Sequence, residues 1–279
     1  MKDALTVRWA VLAMAAVGGL WMAGCRHDPP EVAPAPPLVI DVPSSEFSFR
    51  LDDRATLTFL YVPPGSFRMG SSLVEVDRFP DEVAHDVAIS EGFYLTETEI
   101  TQAQWYAIMG TEPSYLSGAN RPVEHVSWQA ATEFCLKLSQ TTGRICRLPT
   151  EAEWEYACRA GSTTAYSFGD DPADLGEHAW FQDNALPIKT HDVALRKPNA
   201  WGFYDMHGNV REWCSDVYDA YPDKTTWDPI GPSGEGNRVI RGGSWGYLTG
   251  LCRSAQRQHG PEDMSDEYVG LRVVMEVAP

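Results

Sequence analysis

The sequence predicts an α+β domain with little regular secondary structure. Three observations carry that expectation. Helix-start signals cluster between Thr101 and Gly161, short apolar runs broken by Pro and Gly precede them, and only turns and short strands are readable after residue 165. The composition agrees: 23 Gly and 20 Pro make a loop-rich chain, while 43% hydrophobic and 11% aromatic content excludes wholesale disorder. Ten Trp in 279 residues call for buried rings whose N–H groups find partners. A net charge of −17 and a pI near 4.7 exclude nucleic acid as a partner, because no basic surface is left to recruit phosphates.

The elements follow in order. Lys2 and Arg8, the apolar run Trp9–Met22 and then Met22-Ala23-Gly24-Cys25 have the layout of a secretory signal over residues 1–24. The run is shorter than the ~20 residues that span a bilayer. The tetrapeptide resembles a bacterial lipobox, which makes Cys25 the acylated first residue of the mature chain. A retained anchor, or ordinary cleavage beside an incidental Cys25, is the alternative. Residues 26–46 contain Pro29, Pro30, Pro34, Pro36, Pro37 and Pro43. They read as an extended tether of roughly 60 Å at ~3.1 Å per residue.

One domain is expected over residues 47–279. Thr56–Val62, Gly65–Gly70 and Phe93–Glu97 read as strands, with Pro63-Pro64 as a turn. Thr101–Met109 reads as a helix ended by Gly110. Ser127 caps a second helix through Gln140, with Ala131, Phe134, Cys135 and Leu138 on one face. Thr150 and Glu153 form a capping-box pattern for a third helix, which Gly161 stops. No repeat of 20–50 residues is visible, which argues against solenoids and propellers. The histidines His85, His125, His178, His191, His207 and His259 are scattered one per segment and read as surface or hydrogen-bonded loop residues.

Four segments then occur in a telling order: Arg147-Leu-Pro-Thr-Glu-Ala-Glu-Trp-Glu-Tyr-Ala157, Gly202-Phe-Tyr-Asp-Met-His-Gly-Asn-Val-Arg-Glu-Trp213, Arg241-Gly-Gly-Ser-Trp245 and Gly270-Leu-Arg-Val273. Together they resemble the formylglycine-generating enzyme, or sulfatase-modifying factor, family from about Val62 to Val274. The resemblance implies a C-type-lectin-like fold. It also implies a chemistry, oxidation of a substrate cysteine at a copper ion held by two thiolates, a ligand pair suited to soft Cu(I). At the position of the first thiolate this chain has Tyr247. Aligning Cys252-Arg-Ser-Ala makes Cys252 a structural half-cystine and leaves the second ligand without a counterpart. An ungapped alignment would put Cys252 at the second ligand, with the first still missing. Copper oxidation is therefore not expected.

Further implications of the resemblance concern an ion, the cysteines and a surface. Calcium would sit on the side chains of Asp205 and Glu212 and the carbonyls of Gly208 and Val210, oxygen donors of the kind calcium takes. A hydrogen-bonded turn without an ion is the alternative. A second family calcium position retains only Asp183 and Asn184 and stays open. Cys158 and Cys252 match a disulfide pair, whereas the partner position of Cys135 is Val273, so Cys135, Cys146 and Cys214 have no assigned mates. Some relatives bind targets through the window that here runs from Gly246 to Val269, which singles out Tyr247, Leu248, Leu251, Gln258, His259 and Met264. The expected function is a lipid-anchored binding or scaffold module of the bacterial cell envelope. It would sit at the outer membrane, facing periplasm or surface, with an envelope protein or other ligand as partner. The alternative is a formylglycine-generating or related oxidase acting on secreted proteins such as sulfatases.

Overall fold

The structure, a computed structural model, describes residues 44–185, 187 and 189–277. The signal segment, Cys25 and most of the proposed tether lie outside the described residues. Twelve short strands and four helices alternate along the described chain: β1 (Glu46–Arg50), β2 (Thr56–Val62), β3 (Gly65–Met69), β4 (His85–Ile89), β5 (Phe93–Thr96), α1 (Gln102–Met109), α2 (Trp128–Thr142), β6 (Cys146–Arg147), α3 (Glu151–Arg159), α4 (Leu175–His178), β7 (Arg211–Val217), β8 (Thr226–Trp227), β9 (Arg238–Arg241), β10 (Arg257–Gly260), β11 (Val269–Gly270) and β12 (Val274–Glu276). Glu46 already pairs with Leu60, so regular structure starts at the last residue assigned to the tether.

Three sheets result, the largest of them wholly antiparallel. The largest has the order β1-β2-β5-β12-β6, the second β10-β9-β7-β11 and the third β3-β4-β8. The pairs are antiparallel except β7 with β11 and β4 with β8. The last strand, β12, thus inserts between β5 and β6, closing the domain through contacts far apart in sequence.

Local chemistry places the helices as expected. Thr101 and Gln104 close a capping box on α1, and Gly110 ends that helix at φ 69°, a left-handed turn that glycine takes without a Cβ penalty. Ser127 accepts from the Ala130 N–H, and α2 runs two residues beyond Gln140 to stop at Gly143. Thr150 and Glu153 cap each other on α3. That helix ends at Ala160, itself left-handed at φ 46°, one residue before the expected stop at Gly161. β1, β4 and the four-residue α4 were not expected.

Two apolar cores form. One lies between the five-stranded sheet and helices α1 and α2, where Trp105 stacks on Phe134 at 5.2 Å beside Leu57, Phe59 and Met275. The other lies under α3 and includes Val87, Leu95, Trp154, Phe203 and Val239. Several Trp N–H groups find acceptors, Trp105 on Thr111, Trp128 on the Cys214 carbonyl, Trp154 on Glu212 and Trp213 on the Val126 carbonyl, whereas Trp180 Nε1 is buried without a partner among the described residues. Among the described residues no helix is long and apolar enough to cross a membrane.

Candidate binding face and ion site

The charged residues of the four sequence motifs are buried, apart from the half-buried Arg147, and joined in pairs. Arg147 grips Glu153 through two hydrogen bonds of 2.7 Å. Glu155 accepts from Arg159 at 2.8 Å and from the Gly70 N–H at 2.9 Å, and also pairs with Arg241. Glu212 holds Arg272 through bonds of 2.6 and 2.8 Å and takes the Trp154 indole N–H at 2.6 Å. The first motif is thereby tied to the second and third, and the second to the fourth. Burial alone would raise the Glu155 pKa, but the Arg159 and Arg241 charges outweigh it and hold the group below its ordinary value.

The turn that carries the second motif is built around carboxylates. Asp205 has φ 59° and Asn209 φ 67°. Glu99, which the sequence did not single out, receives the Val210 N–H and the Asn209 amide, both at 3.0 Å. Asp205 Oδ2 accepts from the Ala194 N–H at 2.8 Å, while Oδ1 is buried without a partner among the described residues. Burial pushes Asp205 up to about 6, and burial followed by the Asp205 and Glu212 charges pushes Glu99 well up. One buried guanidinium, Arg272, therefore faces three buried carboxylates. The orphaned Oδ1 and this excess of negative charge fit calcium. Both Glu212 oxygens are shared with Arg272 or Trp154, so Glu212 would serve as a ligand only by sharing its remaining lone pairs. Among the described residues no three His, Cys, Asp or Glu side chains converge as a metal site, so the fit depends on the Gly208 and Val210 carbonyls. At the second position, Asn184 is occupied in its own turn, accepting from Phe181 N–H and donating to the Ala179 carbonyl.

The six residues expected on one binding surface are divided by the structure. Tyr247 and Gln258 meet, the Tyr247 hydroxyl donating to Gln258 Oε1 at 3.1 Å. Arg211 joins them: its guanidinium lies 5.1 Å from the Tyr247 ring centroid, donates to the same Gln258 oxygen at 2.5 Å and reaches Asp266 at 3.0 Å. Tyr268 lies 6.0 Å from Tyr247 and stacks on Trp245 at 4.7 Å. Leu248 is exposed and Leu251 half-buried in the short turn that follows. His259 points to the other face of β10, since neighbouring strand residues alternate. There it packs 4.2 Å from Tyr218 and accepts from the Asn237 amide. Met264 is half-buried against the first core. Of the expected six, Tyr247 and Gln258 are thus in contact and Leu248 is exposed, while Arg211, Tyr268 and Asp266, which join them, are outside the expected set.

A family model described as a sulfatase-modifying factor enzyme 1-like domain matches residues 49–277. The chain belongs to that family. Its relatives include the formylglycine-generating enzymes of Mus musculus, 31% identical over 74% of this chain and 61% of that protein, and of Streptomyces coelicolor, 35% identical over 61% and 57%. A protein named chaperone protein LppX, from Paenibacillus barcinonensis, is 31% identical over 57% of this chain and 71% of its own length. The chain spans about six-tenths of the length of the two enzymes. Among solved structures, Treponema denticola variable protein 1 superposes with a TM-score of 0.78 at 27% identity, covering 84% of this chain and all of that one. PvdO from Pseudomonas aeruginosa superposes with a TM-score of 0.76 at 27% identity, over 85% of this chain and all of its own. The α+β, C-type-lectin-like architecture expected for the sulfatase-modifying factor family is the one found.

The cysteines depart from the pairing that the family resemblance implied. Cys158 and Cys252 are both free and buried, as are Cys135, Cys146 and Cys214. The Cys158 sulfur faces the Met206 carbonyl and His207 Nε2, each at 3.9 Å, whereas the Cys252 sulfur turns to the Leu248 carbonyl at 3.5 Å. Burial pushes both thiols up to about 12. His207 connects the two loops: Nδ1 donates to the Cys252 carbonyl at 2.8 Å, and Nε2 accepts from the Ser167 N–H at 3.0 Å. Burial holds its pKa down to about 4, so the ring is a neutral cross-link.

Proposed function

We propose that this chain is a lipid-anchored envelope protein whose sulfatase-modifying-factor domain works as a binding or scaffold module, not as a copper oxidase. One observation carries the reading. The residue at the first expected copper-ligand position is Tyr247, whose phenol is hydrogen-bonded to Gln258, while Cys252 is a fully buried thiol held protonated up to about 12. Neither group supplies a thiolate at neutral pH. What remains is a face of Tyr247, Tyr268 and exposed Leu248 on a rigid frame, the kind of loop surface on which binding resides. The relative named as a chaperone supports a role without oxidation.

The anchor belongs to the same proposal. Acylation at Cys25 and the Pro-rich tether would hold the domain off a membrane, facing an envelope partner. Calcium would be structural, held by Asp205, Glu212 and the Gly208 and Val210 carbonyls. The enzyme relatives at 31–35% identity favour the second reading, oxidation of secreted proteins such as sulfatases. The test is to incubate purified protein with copper, oxygen and a sulfatase-type cysteine peptide. The first reading requires that no formylglycine forms, and copper-dependent conversion of the peptide would establish the second.

A further inference from the structure

A pocket of about 350 Å³ lies where the start of α3, the loop after β7 and the Pro229–Pro232 segment meet. It is lined by none of the six residues expected on the binding face and by no residue of the ion site. Its volume falls in the range of small-ligand sites. Met69, Val217, Pro222 and Ile230 give it apolar walls.

The polar groups at this pocket divide into two sets. Arg257 also lines it, but its guanidinium is taken by Glu151 through bonds of 2.7 and 2.8 Å and lies 3.7 Å from the Tyr221 ring centroid. The Tyr221 hydroxyl donates to the same carboxylate at 2.9 Å. The second set is unpaired. His85 Nδ1 donates to the Val83 carbonyl at 3.0 Å, which leaves Nε2 as an acceptor that no described residue engages. Asp216 is only 5% exposed. Its Oδ2 takes the Glu151 N–H and the Ser215 hydroxyl, each at 3.0 Å. No described residue donates to its Oδ1, and no Lys or Arg among them forms an ion pair with it. Neither that oxygen nor His85 Nε2 is among the fully buried atoms that lack a partner, so both remain open to solvent at the pocket wall, where a ligand's N–H groups would replace water.

Unpaired acceptors, apolar walls and no free side-chain donor define the missing ligand as a hydrogen-bond donor with positive charge and an apolar body. We propose that the pocket binds the ammonium group of a small alkylamine, with Asp216 Oδ1 and His85 Nε2 accepting its N–H bonds and the apolar walls packing its chain. The surroundings of Asp216 give the site a pH signature. Glu151 and Glu153 face it from α3, Asp219 and Tyr221 from the loop after β7, His85 from β4, and Arg257 from β10, where Glu151 neutralises it. Burial first, then the Glu151 charge, pushes Asp216 up to about 7. An ammonium ion needs the ionised carboxylate, so affinity rises about tenfold between pH 6 and pH 8.

Calorimetric titration of the full chain with n-pentylamine tests the proposal. Asp216→Asn keeps an acceptor for the α3 N–H and removes the charge. The expected result is saturable binding to the wild type, at least tenfold weaker in Asp216→Asn, stronger at pH 8 than at pH 6, and absent for pentan-1-ol. Ile230→Trp, a change at a position 73% exposed, narrows the mouth and should weaken binding without touching the fold, which keeps the test decisive if Asp216→Asn is poorly folded. Nα-acetyl-lysine methylamide is the second probe. If it binds too, the ammonium comes from a partner's lysine, and if pentylamine alone binds, the ligand is a free amine. No saturable binding of pentylamine, or equal binding by wild type and both variants, overturns the proposal. Neither result bears on the copper question.

Discussion

Glu155→Gln should unfold this domain far more readily than its single-atom change suggests. The wild-type carboxylate is fully buried between Arg159 and Arg241 and takes the Gly70 N–H. The amide keeps one acceptor but turns an N–H₂ toward donors, leaving two buried guanidinium groups short of a counter-charge. Breaking a buried pair from one side costs about 3–5 kcal/mol. Arg159 retains the Thr164 and Gly70 carbonyls, and Arg241 retains the Gln256 carbonyl and Glu151, so the lower end applies. For a domain of this size, a loss of ~3 kcal/mol lowers Tm by roughly 6–12 °C. Circular dichroism melts at pH 7 read this directly. Glu133→Gln, which removes the exposed partner of Lys137, is the control and should shift Tm by only about 1–2 °C. The pH dependence has a fixed sign. The folded-state pKa of Glu155 is lowered, so its contribution is complete above the unfolded value of ~4.3 and is lost as pH falls toward the folded value. The gap between wild type and variant should be constant from pH 8 to pH 5 and close only below that. A Tm loss no larger than the control's, or a gap that closes above pH 5, would refute the reasoning.

Three further outcomes are expected. With calcium present, Asp205→Ala should melt at a lower temperature than wild type, and the double variant with Glu212→Ala should no longer distinguish calcium from chelator. If the wild type itself melts identically in calcium and chelator, the ion site is wrong. The five described cysteines are buried, and burial raises the thiol pKa of each, so the native domain should react with less than one equivalent of a thiol reagent over minutes. Fast labelling of any of them would contradict that burial. Mass spectrometry of the mature protein should find Cys25 as an acylated N-terminal residue, and an unmodified chain starting elsewhere would remove the anchor.

What could be read from the sequence was mostly short-range. Thr101 with Gln104, Ser127, and Thr150 with Glu153 act within three residues, so their helices were legible. β4, His85-Asp-Val-Ala-Ile, lacks the alternation of a half-buried strand because four of its five residues are buried. The motifs identified the family, but not why their charges recur. Glu212 meets Arg272 sixty positions on, and Glu155 meets Arg241 eighty-six on, and no local pattern encodes such a partner. Within the window expected to bind, strand alternation parts Gln258 from His259, and Arg211 enters from β7. The Asp216 pocket draws on segments from Met69 to Arg257, which only the folded chain brings together.

Whether the copper site has been lost is tested most directly by anaerobic titration with Cu(I) against a chromogenic chelator. Forming the Cys252 thiolate at neutral pH from a thiol held up to about 12 costs on the order of 7 kcal/mol, and Tyr247 offers only a phenol. The chelator should therefore retain the copper in the presence of wild-type protein, and Tyr247→Cys, which supplies one thiolate without its partner, should not recover a stoichiometric site. One equivalent of Cu(I) withdrawn from the chelator by the wild-type chain, and lost on Cys252→Ser, would contradict the account.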